Sequence, residues 1–178
     1  MAQFVSFDPN TKVRGTTLLT YIAAMGEGGR AALEKHGLVD IQPDSWYSLQ
    51  ALLDVFRDVD RGDFSSVLDL VHIGMRIPEH ALWPPAIQTV EDAFFSIDEA
   101  YHMNHKDGDI GHYFVELIGE DTLKVIAENP YPCDFDYGLL YAIAKHYLPE
   151  GKHLVVEHDT DAPCRKHGDA SCTYHVSW

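Results

Sequence analysis

Three cysteines, Cys133, Cys164 and Cys172, are the residues of this 178-residue chain with the plainest capacity for chemistry. The segment Cys164-Arg165-Lys166-His167-Gly168-Asp169-Ala170-Ser171-Cys172 holds two thiols at the ends of a seven-residue loop whose His-Gly-Asp centre reads as a tight turn. Such a loop can bring both sulfurs to one ion. Thiolates are soft ligands that hold zinc tetrahedrally, and a structural site takes four ligands. Cys133 is the obvious third. For the fourth, Asp161, three residues before Cys164, ranks ahead of Glu157, His158 and His167. Arg165 and Lys166 can stabilise thiolate charge with or without a metal. The plainer alternative is packing, with Cys133 and Cys172 as small buried hydrophobes and only Cys164 exposed.

A second group lies upstream. Asp98, His102 and His105 recur at i, i+4 and i+7 along one helix face, and His112 follows a glycine-containing turn that can fold it back toward them. Two imidazoles and a carboxylate suit zinc, iron or nickel, and an imidazole oriented by a carboxylate also suits a general base. Against both stands an ordinary helix C-terminus, where histidine complements the dipole and bonds to water.

Holding either group in place requires a folded core. Apolar residues make up 46% of the chain and aromatics 11%, which supports one core without disulfide staples. The formal net charge of −15, with only 13 Lys and Arg, excludes a sequence-independent nucleic-acid surface. No apolar run approaches the ~20 residues of a spanning helix, and the first residues lack the form of a secretory signal, so no membrane association and a cytoplasmic location are expected. Three cysteines suit reduced thiols or metal ligands better than a disulfide framework. There is no Gly-x-Ser-x-Gly elbow, and the carboxylates of Asp134 and Asp136 near Cys133 would raise a thiol pKa, which weighs against acyl transfer. Gly26-Glu27-Gly28-Gly29 lacks the ending of a phosphate loop.

The elements follow from periodicity. Residues 16–25 form a helix ended by Gly26, and a second turn runs to His36 and stops at Gly37. Asp44 or Ser45 caps a helix that buries Trp46, Leu49, Leu52, Leu53 and Phe56. Asp63 begins another, with Phe64, Val67, Leu68 and Val71 on one stripe. Trp83-Pro84-Pro85 forces an extended entry to a longer helix with Val90, Phe94, Ile97 and Tyr101 on one face. After Lys106-Asp107-Gly108-Asp109 the pattern alternates: 113–117 and 122–128 read as a hairpin, 136–147 as a helix, and 153–158 and 172–178 as strands. The expected architecture is α+β in a single domain over 1–178, with a helical part over 16–105 packed on an α/β part over 110–178 that has a small antiparallel sheet and one long helix.

Two resemblances add to this reading. The stretch Asn129-Pro130-Tyr131-Pro132-Cys133-Asp134-Phe135-Asp136-Tyr137-Gly138, continued through Cys164, Gly168, Cys172 and Trp178, resembles the four-vinyl-reductase domain. Relatives of that domain include sensor domains of phenol- and toluene-responsive transcription activators. The resemblance implies that Cys133, Cys164 and Cys172 are zinc ligands, with Asp161 where the sensors carry an acidic ligand. The order of elements, the stretch Ser96-Ile97-Asp98-Glu99-Ala100-Tyr101-His102 and the strand Tyr113-Phe114-Val115-Glu116-Leu117 are similar to the haem nitric oxide/oxygen-binding (H-NOX) family. That similarity implies a proximal haem ligand at His102. The family's Tyr-x-Ser-x-Arg motif for the haem propionates is replaced here by Tyr131-Pro132-Cys133-Asp134-Phe135.

The leading expectation is a non-enzymatic sensory module in which a zinc-stiffened sheet supports an apolar pocket for a small hydrophobic or aromatic ligand. Trp83, Phe94, Tyr101, Tyr137 and Tyr141 are its candidate lining. The rival is a haem or non-haem metal-dependent protein, a gas sensor or a metalloenzyme, centred on His102 with Asp98, His105 and His112. The sequence leaves open whether the chain works alone, as a homodimer or beside a separate output protein.

Overall fold

A computed structural model of the chain describes residues 3–62 and 70–178. Strand β1 (Lys12–Arg14) runs directly into helix α1 (Gly15–Lys35), which consists of two helical pieces joined at Gly26. The φ of 63° and ψ of −144° at that residue are open to glycine and costly for any other, so the break falls where the sequence ends its first helix. Strand β2 (Trp46–Ser48) pairs antiparallel with β1 and leads into α2 (Leu49–Asp60). Because Trp46 is committed to that ladder, the helix starts later than expected. Its cap is Ser48, whose hydroxyl accepts from the Ala51 N–H, rather than Asp44 or Ser45.

The helix expected from Asp63 through Phe64, Val67 and Leu68 lies outside the described residues, and α3 is described over Leu70–Arg76. The longer helix expected after Trp83-Pro84-Pro85 is two short ones, α4 (Val90–Phe95) and α5 (Ile97–Met103), separated at Ser96. Thr89 and Asp92 form a reciprocal capping box at the start of α4. Val90, Phe94, Ile97 and Tyr101 are all buried, so the apolar stripe survives the break.

Strand β3 (His105–Lys106) joins the other side of β1, giving the order β2-β1-β3. Next come β4 (His112–Gly119), β5 (Thr122–Glu128), α6 (Cys133–Tyr147), β6 (Val155–His158) and β7 (Cys172–Ser177). These four strands make a second antiparallel sheet in the order β4-β5-β7-β6. Helices with antiparallel sheet are the architecture that the sequence pattern implies. One continuous core takes Leu18, Tyr21 and Phe56 from the helices before α3, and Leu123, Leu140 and Val176 from the second sheet and α6. Among the described residues no helix is long and apolar enough to cross a membrane.

Helix α6 is pressed onto α3 through two glycines. A Cβ on Gly74 would lie 2.1 Å from the Phe135 carbonyl oxygen, and one on Gly138 would lie 2.0 Å from that of Val71. Gly138→Ala would raise helix propensity by about 1 kcal/mol at an exposed site. Here it is expected to destabilise by about 1–3 kcal/mol, because the two backbones must separate. A urea midpoint equal to or above the parent's would contradict this close approach.

Candidate functional site

The three thiols meet at the join of α6, the loop before β7, and β7 itself. Cys133 opens α6, Cys164 precedes a 3-10 turn over Arg165–His167 that Gly168 closes at φ 96°, and Cys172 begins β7. All three are free and buried. Their sulfurs stand 3.1 Å (Cys133 to Cys172), 3.5 Å (Cys133 to Cys164) and 3.9 Å (Cys164 to Cys172) apart. With Zn–S bonds of about 2.3 Å, a regular tetrahedron has edges of about 3.8 Å, so these separations need little adjustment to take an ion.

His158, the last residue of β6, brings a ring nitrogen to the same point: one donor atom from each of the four residues lies within 4.8 Å of the others. Its Nε2 is buried and has no hydrogen-bond partner, and its ring stacks on Tyr174 at 4.9 Å. Strand alternation explains the placement. Val156 and His158 share the inward face of β6, and His158 is in register with Tyr174, two residues beyond Cys172. The structure thus brings His158, and not Asp161, to the sulfurs. Asp161 is exposed in the turn after β6, where its N–H donates to Asp159 Oδ1 at 3.0 Å. Glu157 and His167 are exposed as well. Alternation along 153–158 is the sequence signal that would have ranked His158 first.

Arg165 governs the charge of the cluster. Its backbone N–H and its Nε each donate to Cys172 Sγ at 3.4 Å. The Cys172 thiol is pulled below its ordinary range by the hydrogen bond from Cys133 and then by the Arg165 charge. The Cys133 thiol is pushed up by its hydrogen bond to Cys172 and by burial. Between these two, thiolate charge falls on Cys172. The guanidinium is only 1% exposed; it forms an ion pair with Asp136, which is 0% exposed, and donates to the carbonyl and Oδ1 of Asn129. Asp136 also accepts from the Tyr113 hydroxyl at 2.6 Å, and Asn129 Oδ1 accepts from the Tyr131 N–H at 2.9 Å.

Tyr113 and Tyr131 reach an apolar cavity of about 50 Å³ whose walls also include Ile77, Trp83, Tyr101 and His105. His105 leaves the face it was expected to share with Asp98 and His102, because α5 ends at Met103 and His105 pairs with Val13 in the first sheet. It therefore turns inward. Burial pushes its imidazole down to about 4, so it is neutral near pH 7. Its Nδ1 lies 2.8 Å from the Tyr101 carbonyl, which can only accept, so Nδ1 carries the proton and Nε2 accepts from the Tyr131 hydroxyl at 2.7 Å. Asp98, His102 and His112 stay together on the outer surface. Of the candidate lining, Trp83 and Tyr101 wall the cavity, whereas Trp83 and Tyr141 border a separate open groove beside Met75 and Tyr147. Phe94 is sealed in the core, and Tyr137 lines neither.

This arrangement defines a class: an α+β protein of the H-NOX-like fold, with a Cys3His cluster at one end of the second sheet. No protein-family model matches the chain, and no curated protein matches it in sequence. In fold it is similar to an H-NOX protein from S. oneidensis in the Fe(II)NO ligation state, with a TM-score of 0.65 and 17% identity over 92% of this chain and 98% of that one. It is similar to a single-residue variant of Tt H-NOX, with a TM-score of 0.65 and 16% identity over 92% and 91% of the two chains. A mutant H-NOX protein from K. algicida in the Fe(II) unliganded state gives 0.62 and 11% over 92% and 95%. The four-vinyl-reductase resemblance finds no counterpart among these matches.

The cavity beside His105 is too small for a haem as it stands. Cofactor pockets hold roughly 300 Å³ or more, against about 50 Å³ here. His102 faces solvent, both nitrogens of His105 are engaged, and the buried Arg165 is committed to Asp136 and Asn129.

The depressed His105 pKa has a consequence for stability. Between pH 6.5 and about 4 the unfolded chain protonates this imidazole and the folded chain does not, so stability falls as pH drops through that window. The parent is expected to lose about 3 kcal/mol more than His105→Gln between pH 7 and pH 4. Parallel stability-versus-pH curves from chemical denaturation would show that the imidazole is not held neutral.

Proposed function

We propose that the chain is a metal-dependent sensory module on the H-NOX architecture, in which one zinc ion held by Cys133, Cys164, Cys172 and His158 stiffens the join of α6, β6 and β7. The observation that carries this reading is the convergence of three buried thiols with a buried imidazole nitrogen that has no other partner. Four protein ligands close the shell, which marks a structural ion rather than a catalytic one. Arg165 offsets the charge of a thiolate-rich site. The resemblance of the cysteine stretch to the four-vinyl-reductase domain supports the three cysteines as ligands, and it would put Asp161 rather than His158 in the fourth place.

The sensory part of the proposal rests on the cavity beside His105. Its apolar wall suits a small hydrophobic ligand, and an aromatic one requires Trp83 or Tyr101 to move aside. A second reading, haem, is favoured by the shared fold with proteins in Fe(II) and Fe(II)NO states, and it requires the same cavity to open much further.

Elemental analysis and a visible absorption spectrum of protein purified without chelator separate the two. The expected result is about one zinc per chain and no haem absorbance. A haem band at full stoichiometry would favour the second reading, and no metal above background with three freely titrating thiols would end the zinc reading. Cys172→Ser and His158→Ala are expected to lose zinc and to lower the melting temperature by at least about 5 °C, because binding that needs the folded site adds to folding free energy. Asp161→Ala is expected to keep both metal and melting temperature; loss of zinc in that variant would move the fourth ligand to Asp161.

A further inference from the structure

Outside the cysteine cluster, the three side chains Asp98, His102 and His112 bring one donor atom each within 4.8 Å of one another where the end of α5 meets the start of β4. We propose that they form a second metal site, open to solvent, that takes an exchangeable divalent transition-metal cation such as nickel or zinc. The inference does not depend on the zinc knuckle or on haem.

The geometry is that of oriented ligands. Asp98 Oδ1 accepts from the Tyr113 backbone N–H at 2.8 Å, which fixes the carboxylate. His102 Nδ1 lies 2.8 Å from the Asp98 backbone carbonyl and 3.7 Å from the Asp98 carboxylate, which holds the ring beside that carboxylate. His112 Nδ1 stands 3.3 Å from the same carboxylate, and the two imidazole rings lie 5.0 Å apart at 32°. His105, which sequence spacing groups with them, takes no part.

The chemistry differs from that of the knuckle. Two imidazoles and one carboxylate are borderline-to-hard donors that accept nickel, copper(II) or zinc, whereas three thiolates select zinc. With three protein ligands, coordination positions are left to water or to a partner's donor atom, which makes the ion exchangeable. Its placement matters for the interior. His102 follows Tyr101 and His112 precedes Tyr113, and those two tyrosines meet edge to face at 5.3 Å on the cavity wall. An ion on the outer side clasps the helix and strand that carry them.

The test uses the untagged 178-residue chain with its thiol cluster first saturated with zinc, titrated with nickel in a calorimeter. About one equivalent of nickel is expected to bind the parent. Binding is expected to weaken at least tenfold in His102→Ala and in His112→Ala, and to be unchanged in the exposed control His153→Ala. In the parent, paramagnetic nickel is expected to broaden the Tyr113 amide resonance, which reports the site without any substitution. No saturable nickel binding, binding by both variants equal to the parent's, or broadening confined to His153 or His167 would overturn the proposal.

Discussion

The ion pair between Arg165 and Asp136 is the constraint on which most of this interior depends. Both side chains are sealed from solvent, and removing two charges from water costs several kcal/mol each unless every remaining donor and acceptor finds a partner. The fold meets that demand with groups from four places. Asp136 comes from α6 and Tyr113 from β4, Asn129 comes from the loop between β5 and α6, and Cys172 opens β7. Moving any one of these elements leaves a buried charge short of a partner. Their relative positions are therefore specified far more tightly than apolar packing alone would require.

The same pair joins the two candidate sites. From Cys172 the contacts run through Arg165 to Asp136 and Tyr113, and through Asn129 to Tyr131 and His105. Within the proposed reading, the charge on the sulfurs sets how much of the Arg165 charge Asp136 must balance. The tyrosines of the cavity wall are bonded to that balance. The cysteine cluster is in this sense part of the electrostatic environment of the cavity, although the two sites lie on different elements.

The chain shares its fold with H-NOX proteins over 92% of its length, at 17% identity or less in the cases compared. The space between α5, β4 and α6 is filled here by Tyr101, Tyr113, Tyr131 and Phe135, with Tyr131 and Phe135 stacked at 4.7 Å. Fold likeness carries the scaffold, and the residues lining its interior determine what it can hold.

Much of the scaffold was legible in the chain itself. The switch from helical to alternating periodicity after Lys106-Asp107-Gly108-Asp109, the break at Gly26 and the hairpin strands all rest on local backbone preference, which a sequence states directly. The pairing of Cys164 and Cys172 was legible for the same reason, since a short loop with Gly168 at positive φ returns the chain on itself. The fourth member of the cluster, the inward turn of His105 and the two-part helix over 90–103 were decided by tertiary structure. His158 reaches the sulfurs through the register of β6 against β7, and His105 turns inward because β3 pairs with β1, a strand far earlier in the chain. Arg165 reads from sequence as a cation beside thiols; its burial against Asp136 appears only when α6 packs on the sheet. Local spacing specifies which residues share a face, whereas which face meets which depends on contacts between distant segments.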